Sequence, residues 1–178
     1  MKKATLLILV LISNIIISQD QKTEPKQSNA EIFSTKSGTL IEKQFKDVGK
    51  IGLTELKIIK FTDMISGQSI SSLRFERKVS GKYSSDTKIA SLDVDEIDAL
   101  IKSIEIINKD VFNFPSENYT EIRFQSRSGF EAGCYWSKDN WKPYIQIKKR
   151  DRKSLAILSK DDFLSLLELL KQVKKQLE

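Results

Sequence analysis

Few residues in this chain could do chemistry, and the first fact about them is a gap. The sequence contains no histidine and a single cysteine, Cys134. A Ser-His-Asp triad, a Cys-His dyad, a histidine-ligated zinc site and an intrachain disulfide framework are therefore excluded. Nor does it contain a Gly-rich phosphate loop, a CxxC pair or a calcium-loop spacing. What remains is carboxylate chemistry, which for glycoside hydrolysis needs two acids across a cleft. Glu121 and Glu131 are the pair that could face each other on neighbouring strands, although with Arg123 beside them a cross-strand charge network is the plainer account. No cofactor and no metal is expected. Cys134 alternates with Phe130, Ala132 and Trp136, and reads as a small buried hydrophobe that nothing activates.

Binding chemistry is better supplied. Lys148, Lys149, Arg150, Arg152 and Lys153 surround Asp151 in one short run close to Tyr144. Such a run can contact phosphate, an anionic glycan or an acidic partner with an aromatic ring nearby, or it can simply keep a hairpin tip soluble. Trp136 and Trp141 flank residues 137–140, and paired indoles around a loop can stack on a sugar ring. Trp136 is in phase with the apolar strand face, which leaves Trp141 as the ligand candidate.

Two similar units must position these residues. A helix beginning at Asp93 carries Ile97, Leu100, Ile101, Ile104 and Ile107; one beginning at Ser159 carries Phe163, Leu166, Leu167, Leu170 and Val173. Each apolar position maps onto its counterpart by a shift of 66 residues. Each start has an acid three residues on (Glu96, Asp162), the pattern of a capping box. The spacing puts one apolar stripe on each helix. Strand-like runs near 39–46, 53–62, 69–79 and 87–92 precede the first helix, and runs near 119–126, 129–136, 143–149 and 154–158 precede the second. Turn residues separate them. The chain therefore reads as α+β, with two β-β-β-β-α units (about 32–110 and 111–178) in one domain. In each unit an antiparallel sheet is covered by one amphipathic helix, the layout of an internal duplication. A competing register, pairing Leu73-Arg74-Phe75 with Ile122-Arg123-Phe124, would leave the second unit one hairpin longer.

A single helix covers one sheet face and leaves the other free. In the second unit Ile122, Phe124, Phe130, Ala132, Cys134, Trp136, Ile145 and Ile147 fall on the covered side. Tyr119, Glu121, Arg123, Gln125, Glu131, Tyr135, Tyr144, Gln146 and Lys148 fall on the other. The expected contact zone combines that face with the basic hairpin: Tyr119, Arg123, Tyr135, Trp141, Tyr144, Lys148, Lys149, Arg150 and Arg152.

The tandem β-β-β-β-α layout is similar to that of the Whirly proteins, a resemblance that implies single-stranded nucleic-acid binding. The Gly129-Phe130, Gly133, Tyr135-Trp136 strand, followed by Trp141, Tyr144-Ile145 and a Leu-rich last helix, resembles small exported bacterial proteins of unassigned activity.

Export is also what the N-terminus spells. Met1-Lys2-Lys3 supplies a positive start, Leu6 to Ile17 an apolar run too short for a comfortable bilayer span, and Ser18 a small residue before polar Gln19. This is the pattern of a secretory signal peptide over 1–18, cut near Ser18/Gln19, and the Ser-Gln junction resembles signal peptides of certain Gram-negative bacteria. Losing Lys2 and Lys3 lowers the formal net charge from +6 to +4. Residues 19–31 hold no strong apolar side chain and read as a flexible linker. The expected protein is thus secreted or periplasmic, has no stable membrane span after cleavage, and works by binding a protein or an envelope polymer without covalent chemistry. Single-stranded nucleic-acid binding and a carboxylate-based hydrolase are the alternatives, and nucleic acid is the weaker partner for an exported chain of modest charge.

Overall fold

The computed structural model describes residues 26–81 and 85–177. The expected signal peptide (1–18) and the first part of the expected linker (19–25) lie outside the described residues. From there the order is α1 (Asn29–Ser34), β1 (Ile41–Ile51), β2 (Thr54–Asp63), β3 (Ser69–Ser80), β4 (Ser85–Asp93) and α2 (Val94–Ile106). It continues through a π-helical turn (Ile107–Val111), β5 (Glu121–Gln125), β6 (Glu131–Trp136), β7 (Trp141–Gln146), a 3-10 turn (Arg152–Ser154), β8 (Leu155–Ile157) and α3 (Lys160–Leu177). The fold is α+β, with two four-stranded antiparallel sheets in the orders β1-β2-β3-β4 and β5-β6-β7-β8. Each half runs four antiparallel strands into one long helix. In the competing register β3 would correspond to β5; in the observed order β3 occupies the third place of its sheet and β5 the first of the other.

The linker ends earlier than its composition suggests. Ser28 accepts the Glu31 N–H at 3.1 Å and Glu31 accepts the Ser28 N–H at 3.0 Å, a reciprocal capping box that starts α1. Ala30 and Ser28 are buried, and α1 covers Ile59 and Phe61 on the outer side of the first sheet. Residues 28–31 therefore belong to the folded domain, because two polar side chains satisfy backbone donors that composition alone cannot register.

The long helices begin where their caps predict. At α3, Ser159 and Asp162 exchange bonds at 3.0 and 3.3 Å. At α2, the Asp93 N–H donates to Glu96 at 3.1 Å. The Asp93 carboxylate also reaches outward: it accepts the Asn29 and Ala30 N–H groups at 2.8 and 3.1 Å and pairs with Arg127 at 3.0 Å. One side chain thus joins α1, the first sheet and the second half.

The helices do not divide the sheets between them. α2 touches β3 and β4 and also β5 and β6, while α3 touches β7 and also β1. One apolar cluster runs through both halves, with Leu56, Leu73 and Phe75 from the first, Phe130 and Ile145 from the second, and both helix stripes between. Phe75 stacks on Phe130 with centroids 4.3 Å apart. Burying each such side chain contributes about 1.5–3 kcal/mol. At β1 the register slips between Asp47 and Gly49, and the bare Gly49 admits Leu169 of α3. Among the described residues no helix is long and apolar enough to cross a membrane.

Candidate functional site: a tyrosine cleft on the second sheet

Antiparallel pairing fixes which side chains share the outer face of the second sheet. The rungs are Glu121–Tyr135–Lys142, Arg123–Gly133–Tyr144–Ile157 and Gln125–Glu131–Gln146–Leu155. Strand alternation puts all of these on the side away from the core. They border an open cleft of about 590 Å³, lined by Tyr119, Glu121, Arg123, Glu131, Tyr135, Tyr144, Gln146, Lys149, Arg150 and Leu155.

One wall is aromatic. Tyr119 and Tyr135 have ring centroids 6.4 Å apart, and Tyr135 and Tyr144 6.2 Å, each pair tilted. The Tyr119 hydroxyl donates to Glu121, which pushes its own pKa upward. Tyr144 is buried, and desolvation reinforced by the charge of Glu131 pushes its phenol up to about 12. The floor is backbone and carboxylate. Gly133 stands between Arg123 and Tyr144, and a Cβ there would lie 2.1 Å from the Ile122 carbonyl oxygen. Glu131 points to the outer face by alternation yet is only 3% exposed. Its Oε1 has no hydrogen-bond partner among the described residues; Arg123 approaches to 3.7 Å.

The basic turn closes one end. Lys149 donates through Nζ to Gln125 and through its backbone N–H to Gly129, both at 3.1 Å. Arg150 adopts a left-handed conformation, φ 65°. Asp151 anchors the turn to the first half through Lys88 at 2.9 Å, and that contact lowers its pKa.

Six of the nine residues expected in the contact zone therefore meet at this cleft: Tyr119, Arg123, Tyr135, Tyr144, Lys149 and Arg150. Three do not. Trp141 pairs directly across from Trp136, so both indoles lie on the core side, 5.4 Å apart. It is Trp141 that is buried, its indole N–H donating to the Phe114 carbonyl at 2.7 Å, so it is a core residue and no ligand contact. Extended strand alternation would put Lys148 on the tyrosine face, but β7 ends at Gln146; Lys148 borders an adjoining hollow with Lys26, Glu31 and Ser128, and Lys149 lines both. Arg152 opens the 3-10 turn, is exposed, and does not line the cleft. Leu155 joins the lining through the β7–β8 register, which the irregular basic run conceals in the sequence.

The two carboxylates do not face each other. Glu121 pairs with Tyr135 and Glu131 with Gln125, four residues out of step, or about 13 Å along the strand. Cys134 is fully buried on the core side, and desolvation pushes its thiol up to about 12, which keeps it protonated and inert. Among the described residues no acid or thiol cluster could hold a metal ion. The arrangement can stack on rings, donate to anions from its rim and accept hydrogen bonds at its floor.

The class defined by fold and site is an α+β protein with one open, ligand-sized sheet face. No protein-family model, curated protein or solved structure matches the chain.

Proposed function

We propose that this is an exported, non-enzymatic binding protein, processed near Ser18/Gln19, that holds a protein segment or an envelope polymer in the tyrosine cleft. One observation carries this reading: three tyrosines, three cations and a buried carboxylate oxygen with no hydrogen-bond partner among the described residues converge on a cleft of about 590 Å³. Buried polar atoms are almost always satisfied, so an open acceptor beside an aromatic wall suits an incoming donor. A carboxylate mechanism has less support, since the two acids are offset by about 13 Å along the strand. Single-strand binding on the Whirly-like layout draws on the same tyrosines and basic rim, and it suits an exported chain less well. We also read the repeated β-β-β-β-α order as a duplication in which the second copy became the binding half.

The test combines location with crosslinking. Fractionation should recover the chain outside the cytoplasm with Gln19 at its N-terminus. A photo-crosslinking residue in place of Leu155 should capture purified envelope polymer or an envelope protein, and the same residue in place of Phe45 on the first sheet should not. Capture from Phe45 alone, or recovery in the cytoplasm with an intact N-terminus, overturns the reading.

A further inference from the structure

We infer that the ligand of the tyrosine cleft is an acidic saccharide, a short run of sugar rings bearing carboxylates. This rests on the binding reading above and names the chemistry of its ligand.

The floor sets the first requirement. The Glu131 side chain is 5% exposed, and its Oε1 receives no hydrogen bond among the described residues. Such an acceptor calls for a donor from outside: a hydroxyl, an amide N–H or an ammonium group. Charge disfavours the last. The lining holds Glu121 and Glu131 against Arg123, Lys149 and Arg150, so cations outnumber acids. Arg150 makes no hydrogen bond or ion pair among the described residues, and Arg123 has only the 3.7 Å approach to Glu131. An ammonium entering that field meets repulsion at the rim. A hydroxyl does not, and a carboxylate on the same molecule gains the fork-shaped donors of two guanidinium groups.

The wall sets the remaining requirement. Tyr119 and Tyr135 present tilted aromatic rings at the cleft, with the buried Tyr144 packed behind Tyr135. Sugar rings, apolar on their faces and polar around their edges, match that surface. A polyphosphate has no such face to offer. The open shape of the cleft fits a segment of an oligomer better than an enclosed metabolite, and its volume lies in the range of small-ligand sites.

The experiment is calorimetric titration of the full chain with trigalacturonic acid, with galactotriose as its neutral counterpart, and with putrescine, whose ammonium groups can donate. The acidic trimer should bind at least about tenfold more tightly than the neutral one, with affinity falling as salt rises. E131Q should weaken both saccharides by about tenfold, the loss of a charge-assisted bond. R150A, at an exposed turn where folding is not at stake, should weaken only the acidic trimer, toward the neutral level. Equal or tighter binding of galactotriose, E131Q-sensitive binding of putrescine, or no binding of the acidic trimer overturns the inference and leaves the cleft a binding site for another ligand. Shortened oligomers after incubation, or binding indifferent to both substitutions, would overturn the non-enzymatic cleft reading itself.

Discussion

The outer faces of the two sheets begin from the same architecture and end in opposite chemistry. On the first, charge is closed within the protein: Lys57 meets Glu55 and Glu76 at 3.0 Å each and Asp47 at 3.9 Å, and Arg74 meets Glu76 at 2.5 Å. Glu55 and Glu76 stand directly opposite, a repulsive pairing that Lys57 neutralises; its contact with Glu55 lowers the pKa of that acid and raises its own. α1 covers the part of that face around Ile59 and Phe61. On the second, Tyr119 is exposed, and among the described residues the Glu131 Oε1 has no hydrogen-bond partner and Arg150 is unengaged. Two sheets of like topology thus separate a face whose central charges are paired with one another from a face whose cations and carboxylate are left to a ligand.

The largest expected effect tests the two sheet glycines. Gly133→Ala drives a Cβ to 2.1 Å from a backbone oxygen, whereas at Gly49 the nearest atom is the Leu169 Cδ2 at 3.0 Å, the end of a flexible side chain. Urea unfolding should give a loss of about 3 kcal/mol or more for Gly133→Ala, with binding abolished, and under about 1 kcal/mol for Gly49→Ala. Equal losses would remove the claim that the cleft floor is set by backbone contact. Next is the tie between the halves. Asp93→Ala strands the Asn29 and Ala30 amides, although Arg127 keeps Asp95 and Glu96, and should lower stability by about 2 kcal/mol while leaving the cleft chemistry unchanged.

A smaller effect should differ in sign between the faces. Lys57→Met leaves three acids without their shared cation and should cost about 1 kcal/mol. Glu131→Gln removes a charge that is buried without a donor, and should be neutral or stabilising by about 1 kcal/mol even as binding weakens. A comparable loss in both would mean that Glu131 is already satisfied within the protein.

The pH limits should divide in the same way. At the β2–β3 turn, the Thr39 hydroxyl and the Ser66 and Ile65 N–H groups hold Asp63 down to about 2. A depressed carboxylate contributes stability that is full above its ordinary 3.8 and lost as pH falls through about 2. Tyr144 has the opposite sign: its contribution is full below 10 and lost as pH rises through about 12. Asp63→Asn should flatten only the acid limb of a stability-against-pH curve, and Tyr144→Phe only the alkaline limb.

How much of this was legible depended on whether the governing rule was local. The caps at Ser159 and Asp93, the helix stripes and the two strand faces follow from spacing within one segment, and the structure reproduces them. The Ser28…Glu31 box obeys the same rule but sits in a polar stretch whose composition outweighed it. The Trp136–Trp141 pair required the register across a turn containing two left-handed residues, Lys138 and Asp139, which alternation within either strand does not specify. The burial of Glu131 is a tertiary fact. Alternation placed it on the outer face correctly, but only the side chains around it keep it from water.

Asp93 also bears on the order in which the chain can fold. As it leaves the ribosome, the first half reaches Asp93 early, but Arg127, which pairs with that carboxylate, and Phe130, which stacks on Phe75, emerge some thirty-five residues later. Until then the nascent first sheet has its own hydrogen-bond ladder and the α2 stripe, but neither Arg127 nor the Phe130 ring. The halves are therefore not beads that mature in turn; the first waits for the second, and synthesis interrupted between them should leave a chain dependent on chaperones.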